Sequence, residues 1–173
     1  MLYVETYMNN SIFREYDIRG IVDTDFTNDI VINLGRAFGT FLMNNNHSNI
    51  SVSGDIRYST NNLKKCLVEG LLSTGVNVYD MGVLPTPVNY FSLYHTDIPN
   101  SIQITGSHNP KEYNGFKLSF NKKPFFGQDI LSLKKIISSK LFFKSLVKGK
   151  YKKLDVLDDY FQMIKNNISI NKE

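Results

Sequence analysis

Ile102-Gln103-Ile104-Thr105-Gly106-Ser107-His108-Asn109-Pro110, followed after a short gap by Gly115-Phe116-Lys117-Leu118-Ser119-Phe120, is the stretch on which this chain turns. The first three residues read as the end of a strand and the last six as another strand. The residues between form a loop stiffened by Gly106 and Pro110. Such a loop offers the Ser107 hydroxyl at a sheet edge, beside the imidazole of His108 and the carboxamide of Asn109. A rigid scaffold can hold a nucleophile or a phosphorylated side chain there. Taken alone, the same residues also make an ordinary turn, so the rest of the chain has to decide.

Upstream, Thr27 is a plausible N-cap for a helix to about Met43, with Ile30, Leu34, Ala37, Phe38, Phe41 and Leu42 at helical spacing. Ile50 to Ser53 reads as a strand, Gly54 to Thr60 as a polar loop, and Asn61 to Thr74 as a helix whose stripe includes Leu63, Cys66, Leu67, Gly70 and Leu71. Val76 to Met81 is the next strand. Strand, helix and strand within this span predict a parallel pair with a right-handed crossover. Pro85 and Pro87 flank a helix at about Val88 to Tyr94, and the two strands around Ser107 are expected to pair antiparallel. Helices are expected at Gly127 to Ser139 and Asp155 to Asn166. The fold class is therefore α/β, a three-layer α/β/α domain with a mixed, mainly parallel sheet. Residues 1–146 are expected to form this domain. Val147 to Lys153 is the candidate linker, and residues 147–173 are read as linker and helix leading to an absent second domain.

The 173 residues suffice for one packed domain, and 42% hydrophobic with 21% charged content is ordinary for a globular protein. There is no run of 18 apolar residues and no basic, apolar leader, and Cys66 is the only cysteine. The expectation is a cytoplasmic protein without a membrane partner. Eight lysines and no acidic residue lie between Asp129 and Asp155. They are interleaved with leucine, isoleucine and phenylalanine as on a helix with one solvated face, so nucleic acid is not expected as a partner. A hydrolase elbow would need glycine two residues either side of Ser107, where Thr105 and Asn109 stand.

Phe13-Arg14-Glu15-Tyr16-Asp17-Ile18-Arg19-Gly20, Pro85-Thr86-Pro87, Thr105 to Pro110 and Tyr113-Asn114-Gly115-Phe116-Lys117 occur in that order. This set resembles the first domain of the α-D-phosphohexomutases, in the phosphomannomutase/phosphoglucomutase branch, over roughly residues 12 to 165. The resemblance implies that Ser107 is stored as a phosphoserine. It would give its phosphoryl group to a hexose phosphate and recover the other phosphate from the bisphosphorylated sugar. His108 and Lys117 are then expected to be catalytic, His108 by exchanging a proton with a sugar hydroxyl. Tyr16, Arg19 and Asn109 are expected to bind substrate or phosphate, with Gly20 as a turn that brings the Arg19 loop close to the serine. His47 and His95 are read as structural hydrogen-bonding groups.

One departure lies at Ser53-Gly54-Asp55-Ile56-Arg57, where the family usually reads Gly-Arg-Asp-x-Arg; the first arginine is replaced by Gly54, and weaker bracing of the site is expected. The family's cofactor is magnesium, held by an Asp-Gly-Asp-Gly-Asp-Arg loop of its second domain that does not occur here. The phosphate on Ser107 is the metal ligand this chain would supply. The resemblance implies hexose phosphates as partners, with a separately encoded remainder of the enzyme as a further candidate, and little turnover by this chain alone. The alternatives are a phosphoglucosamine mutase, against which Thr105-Gly106 counts, and a non-catalytic binding module.

Overall fold

The computed structural model describes residues 8–169. After a 3-10 turn at Asn10–Ile12, the elements are β1 (Ile18–Ile21), α1 (Asn28–Asn44), β2 (Asn49–Gly54), α2 (Thr60–Ser73), β3 (Asn77–Val83) and α3 (Thr86–His95). They continue with β4 (Ser101–Ile104), β5 (Tyr113–Phe120), β6 (Lys123–Pro124), α4 (Gln128–Ser139), β7 (Tyr151–Lys153) and α5 (Leu157–Asn167). The sheet runs β1-β5-β4-β2-β3-β7, with β6 added to β5. β2 pairs parallel with both β3 and β4, and β3 pairs parallel with β7. β5 pairs antiparallel with β1, β4 and β6. It is thus the one reversed strand of a mixed, mainly parallel sheet. The parallel β2–β3 pair joined through α2 and the antiparallel β4–β5 pair are as the sequence predicts.

One face of the sheet is dry. Ile50, Val52, Ile102, Ile104 and Phe116 meet α1, α2 and α4 in a continuous core that includes Val31, Leu34, Phe38, Leu67, Leu71 and Leu133. α1 begins where Thr27 accepts the Ile30 N–H at 3.4 Å, which satisfies one of the orphan donors of the first turn. α1 and α2 approach through glycines: a Cβ on Gly35 would lie 2.3 Å from the Leu67 carbonyl oxygen, and one on Gly70 would lie 2.2 Å from that of Ile32. The opposite face is polar where α3 covers it. Asn89 Nδ2 donates to Ser53 Oγ at 2.8 Å and Ser101 Oγ to Asn89 Oδ1 at 2.7 Å, while Gln103 Nε2 donates to the Leu84 carbonyl at 3.0 Å. All four side chains are buried and mutually satisfied, as a low-dielectric interior requires. A small apolar cluster of Met81, Leu84, Val88 and Val156 completes this layer.

Two sequence expectations are corrected. Arg19-Gly20 is not a turn but part of β1, with Arg19 opposite Gly115 and Gly20 opposite Asn114. Gly20 serves close packing: a Cβ there would lie 2.7 Å from Asp25 Cβ, and Asp25 accepts the Ile21 N–H at 2.8 Å. The stretch Val147 to Lys153 does not run free as a linker, because Tyr151–Lys153 lies on the sheet as β7. Asp80 is the reason. It is almost fully buried and accepts from Lys64 Nζ at 2.8 Å, Lys153 Nζ at 2.6 Å and the Tyr151 hydroxyl at 2.5 Å.

Candidate active site at the Ser107 loop

β4 runs out at Ile104 and β5 re-enters at Tyr113, so the serine loop projects from the C-terminal edge of the parallel strands, where open α/β sheets place their ligands. Ser107 is exposed and sits at φ +53°, a left-handed conformation that costs a non-glycine residue roughly 1–2 kcal/mol. Such strain persists only where the surroundings over-determine the backbone. Here they do so from within the loop and from outside it.

Inside the loop, Ser107 N donates to Thr105 Oγ1 at 2.9 Å, and the Asn109 backbone N–H and side-chain amide both donate to the Gly106 carbonyl at 3.0 Å. Outside it, Asp55 accepts the Gly106 N–H at 3.0 Å and the Thr60 hydroxyl at 2.7 Å. Burial alone would raise the Asp55 carboxyl. The hydrogen bonds from Thr60, the Arg57 and Gly106 N–H groups and Thr105 outweigh it and hold the group below the usual carboxylate range.

Arg57 is the principal clamp. Its Nη1 donates to the carbonyls of Pro110 and Tyr113 at 2.6 and 2.9 Å, and its Nη2 to those of Asn109 and Ser107 at 2.6 and 3.2 Å. The planar fork thus spans four backbone acceptors. Gly106 leaves room for it, since a Cβ there would lie 2.2 Å from Arg57 Cζ. Arg57 and Asp55, the residues of the Gly-Arg-Asp-x-Arg motif which this chain keeps, thus brace this loop, while Gly54 stands where the family's first arginine would be. Neither was among the sequence-based site residues, although the loop that holds them was singled out.

Arg19, Lys117, His108 and Asn109 are joined to the same loop. Arg19 is buried, donates from Nη1 to the Gly106 carbonyl at 3.1 Å, and pairs through Nη2 with Asp17. Asp17 also faces Lys117 Nζ at 3.6 Å, so one carboxylate spaces two cations. The Asp17–Arg19 pair is buried. His108 Nδ1 lies 3.3 Å from Ser107 Oγ, and both side chains are exposed. Tyr16 stands apart, 73% exposed, with its ring 6.2 Å from that of Phe126. His47 and His95 are used elsewhere: His47 contacts Asn100 at 3.0 Å, and His95 stacks on Phe91 and meets Asp159 at 3.0 Å.

The assembled site is an exposed hydroxyl on a rigid loop, one imidazole within reach of it, and two cations held by a shared carboxylate. Such a set suits charge-rich group transfer at Ser107. It does not suit a resident metal. Among the described residues no cluster of three or more His, Cys, Asp or Glu side chains could hold a cation.

Residues 10–142 match the family model described as phosphoglucomutase/phosphomannomutase, alpha/beta/alpha domain I. A phosphomannomutase of Vibrio cholerae is 38% identical over 86% of this chain and 33% of its own length. A phosphomannomutase/phosphoglucomutase of Pseudomonas syringae is 34% identical over 95% of this chain and 35% of its own. The crystal structure of a phosphoglucomutase/phosphomannomutase family protein from Burkholderia thailandensis superposes with a TM-score of 0.89 at 34% identity. That match covers 96% of this chain and 38% of that one. The chain spans about a third of the length of the curated relatives it matches.

Proposed function

This chain belongs to the phosphoglucomutase/phosphomannomutase family as its α/β/α domain I, and on that premise we propose that it carries the phosphoserine of a hexose-phosphate mutase at Ser107. The observation that carries the reading is the exposed Ser107 hydroxyl, fixed in a left-handed backbone by the Arg57 clamp beside Arg19, His108 and Lys117.

The reaction interconverts hexose 1-phosphate and hexose 6-phosphate. The phosphorus–oxygen bond to Ser107 breaks as a bond to the free sugar hydroxyl forms. That hydroxyl gives its proton to a neighbouring base, His108 in this reading, and the departing Ser107 oxygen takes up a proton to leave the free serine hydroxyl. The bisphosphorylated sugar turns over and its other phosphoryl group returns to Ser107, leaving the enzyme phosphorylated as it began. Arg19 and Lys117 offset the charge of about −1.5 to −2 that a phosphoserine adds. Asn109 contributes through the loop that it closes, and Tyr16, reaching outward, is the residue free to meet a sugar. The family's metal chemistry supplies electrophilic stabilisation of the phosphoryl group. In this chain the phosphate oxygens of Ser107 are the ligand offered, and the carboxylates would come from elsewhere. We place the protein in the cytoplasm, where its hexose-phosphate substrates occur.

Intact-mass measurement tests this reading. One added phosphate on the purified protein or after incubation with a hexose bisphosphate, absent in Ser107→Ala, is the expected result. A protein that never acquires phosphate, or a Ser107→Ala variant that carries it equally, would refute the assignment.

A further inference from the structure

The connection between α4 and β7, residues 140–150, lies at the opposite edge of the sheet from Ser107. Phe143 N donates to Thr40 Oγ1 near the end of α1, and Gly149 N to the Leu72 carbonyl near the end of α2. Both helix ends precede the N-terminal ends of β2 and β3. Phe142 anchors the segment by packing on the core, under the Arg36 guanidinium at 5.9 Å from its ring centroid. The Ser145 hydroxyl closes a tight turn, donating to the Val147 carbonyl at 2.6 Å and accepting from Val147 N at 3.3 Å. The turn presents Leu146, fully exposed, and Val147, and Leu141 lies earlier on the same connection, the last two both more than 70% exposed.

Single exposed apolar residues are common; three on one anchored loop, interleaved with Lys140, Lys144 and Lys148, are not accounted for by the proposed mutase chemistry. Of the eight lysines between Asp129 and Asp155, Lys153 is engaged with Asp80, and Lys152 lies over the Tyr79 ring. Among the described residues the other six form no ion pair. We propose that this loop is a peripheral docking surface for an anionic phospholipid bilayer, with Leu146 and Val147 entering the headgroup boundary while the surrounding lysines meet lipid phosphates. A bilayer receives a convex apolar knob without a matching socket. Residues 140–150 themselves carry only positive charge, with Glu69, exposed one helical turn before Leu72, as the acidic group of the neighbouring helix end. No described helix is long and apolar enough to span a membrane, and this contact requires none.

Co-sedimentation of the 173-residue protein with vesicles is the test. Binding is expected to phosphatidylcholine vesicles containing phosphatidylglycerol, to be absent with phosphatidylcholine alone, and to weaken as salt is raised. Each of Lys144→Gln and Lys148→Gln is expected to reduce partitioning about fivefold, and Leu146→Asp roughly tenfold or more, with thermal melting unchanged because all three positions are exposed. No binding to anionic vesicles at low salt would overturn the proposal. So would binding that ignores lipid charge or these substitutions, or an acidic protein partner that binds the loop where vesicles do not.

Discussion

Arg57 and Asp55 divide the work of holding the serine loop, one gripping its carbonyls and the other one of its N–H groups. Lysine at position 57 would keep the charge but lose the planar fork. Arg57→Lys is therefore expected to cost about 2 kcal/mol in urea denaturation, and also to lower phosphate uptake at Ser107 by intact mass. Unchanged stability would mean that the four contacts are dispensable. Asp55 adds a pH dependence. Its folded-state carboxyl is depressed, so its contribution is present above the ordinary value of 3.8 and is lost as pH falls through the lower folded value. The Gly106 amide should exchange slowly at neutral pH and lose protection only in acid below that range, with Asp55→Asn weakening protection at neutral pH as well. Ser107, His108 and Asn109 were legible because a contiguous motif carries them. The Arg57 clamp was not, since a side chain gripping backbone some fifty residues away leaves no pattern in the intervening sequence.

At the scale of elements, long periodic segments were read closely: α1 and α2 fall within a residue or so of expectation. The short edge strands were not. β1 is four residues long with Arg19 and Gly20 at its centre, so its alternation is masked, and β7 is Tyr151-Lys152-Lys153, wholly exposed. What recruits β7 is Asp80, seventy residues earlier. Burial favours the neutral acid there, but Lys153, Lys64 and Tyr151 overcome it and keep Asp80 far below the usual range, while Asp80 and then Tyr151 push Lys153 up to about 12. The latch is thus fully formed below the ordinary lysine value of 10.5 and lost as pH rises through about 12. On the acid side it is lost only as pH falls through the depressed Asp80 value. Asp80→Asn should cost on the order of 2–3 kcal/mol and speed exchange of the Leu154 amide, which donates to the Asp80 carbonyl at 3.0 Å. Exchange at Leu154 matching the unaltered protein would contradict the latch. The glycine contact between α1 and α2 makes a sharper test. Alanine improves helix propensity by up to about 1 kcal/mol, yet at Gly35 its methyl meets a carbonyl oxygen at 2.3 Å. Overpacking of that kind costs about 1–3 kcal/mol, so Gly35→Ala should lower the denaturation midpoint; a raised midpoint would show that the helices can part freely.

Across the whole molecule, the groups described at Ser107 form one wall of a site. Ser107, its clamp and two cations project from a single sheet edge, and among the described residues no carboxylate cluster for a cation accompanies them. α5, which follows the latch, has no fully buried residue, and its Phe161, like Ile168 just past its end, is about half exposed. The family resemblance made Ser107 and its neighbours readable over nearly the whole chain, whereas no stretch of it carries a motif for sugar selection. Holding a sugar phosphate in line with a phosphoserine, and keeping the bisphosphate bound while it turns over, requires donors on the far side of the substrate; positioning of this kind supplies several kcal/mol of a typical enzymatic barrier reduction. The purified 173-residue chain should therefore accept phosphate at Ser107 yet fail to interconvert glucose 1-phosphate and glucose 6-phosphate, or the mannose pair, in a coupled assay with magnesium present. Turnover at an ordinary enzymatic rate of about 1 per second or faster, abolished in Ser107→Ala, would show that this wall alone confines the substrate and that the opposing groups are not needed.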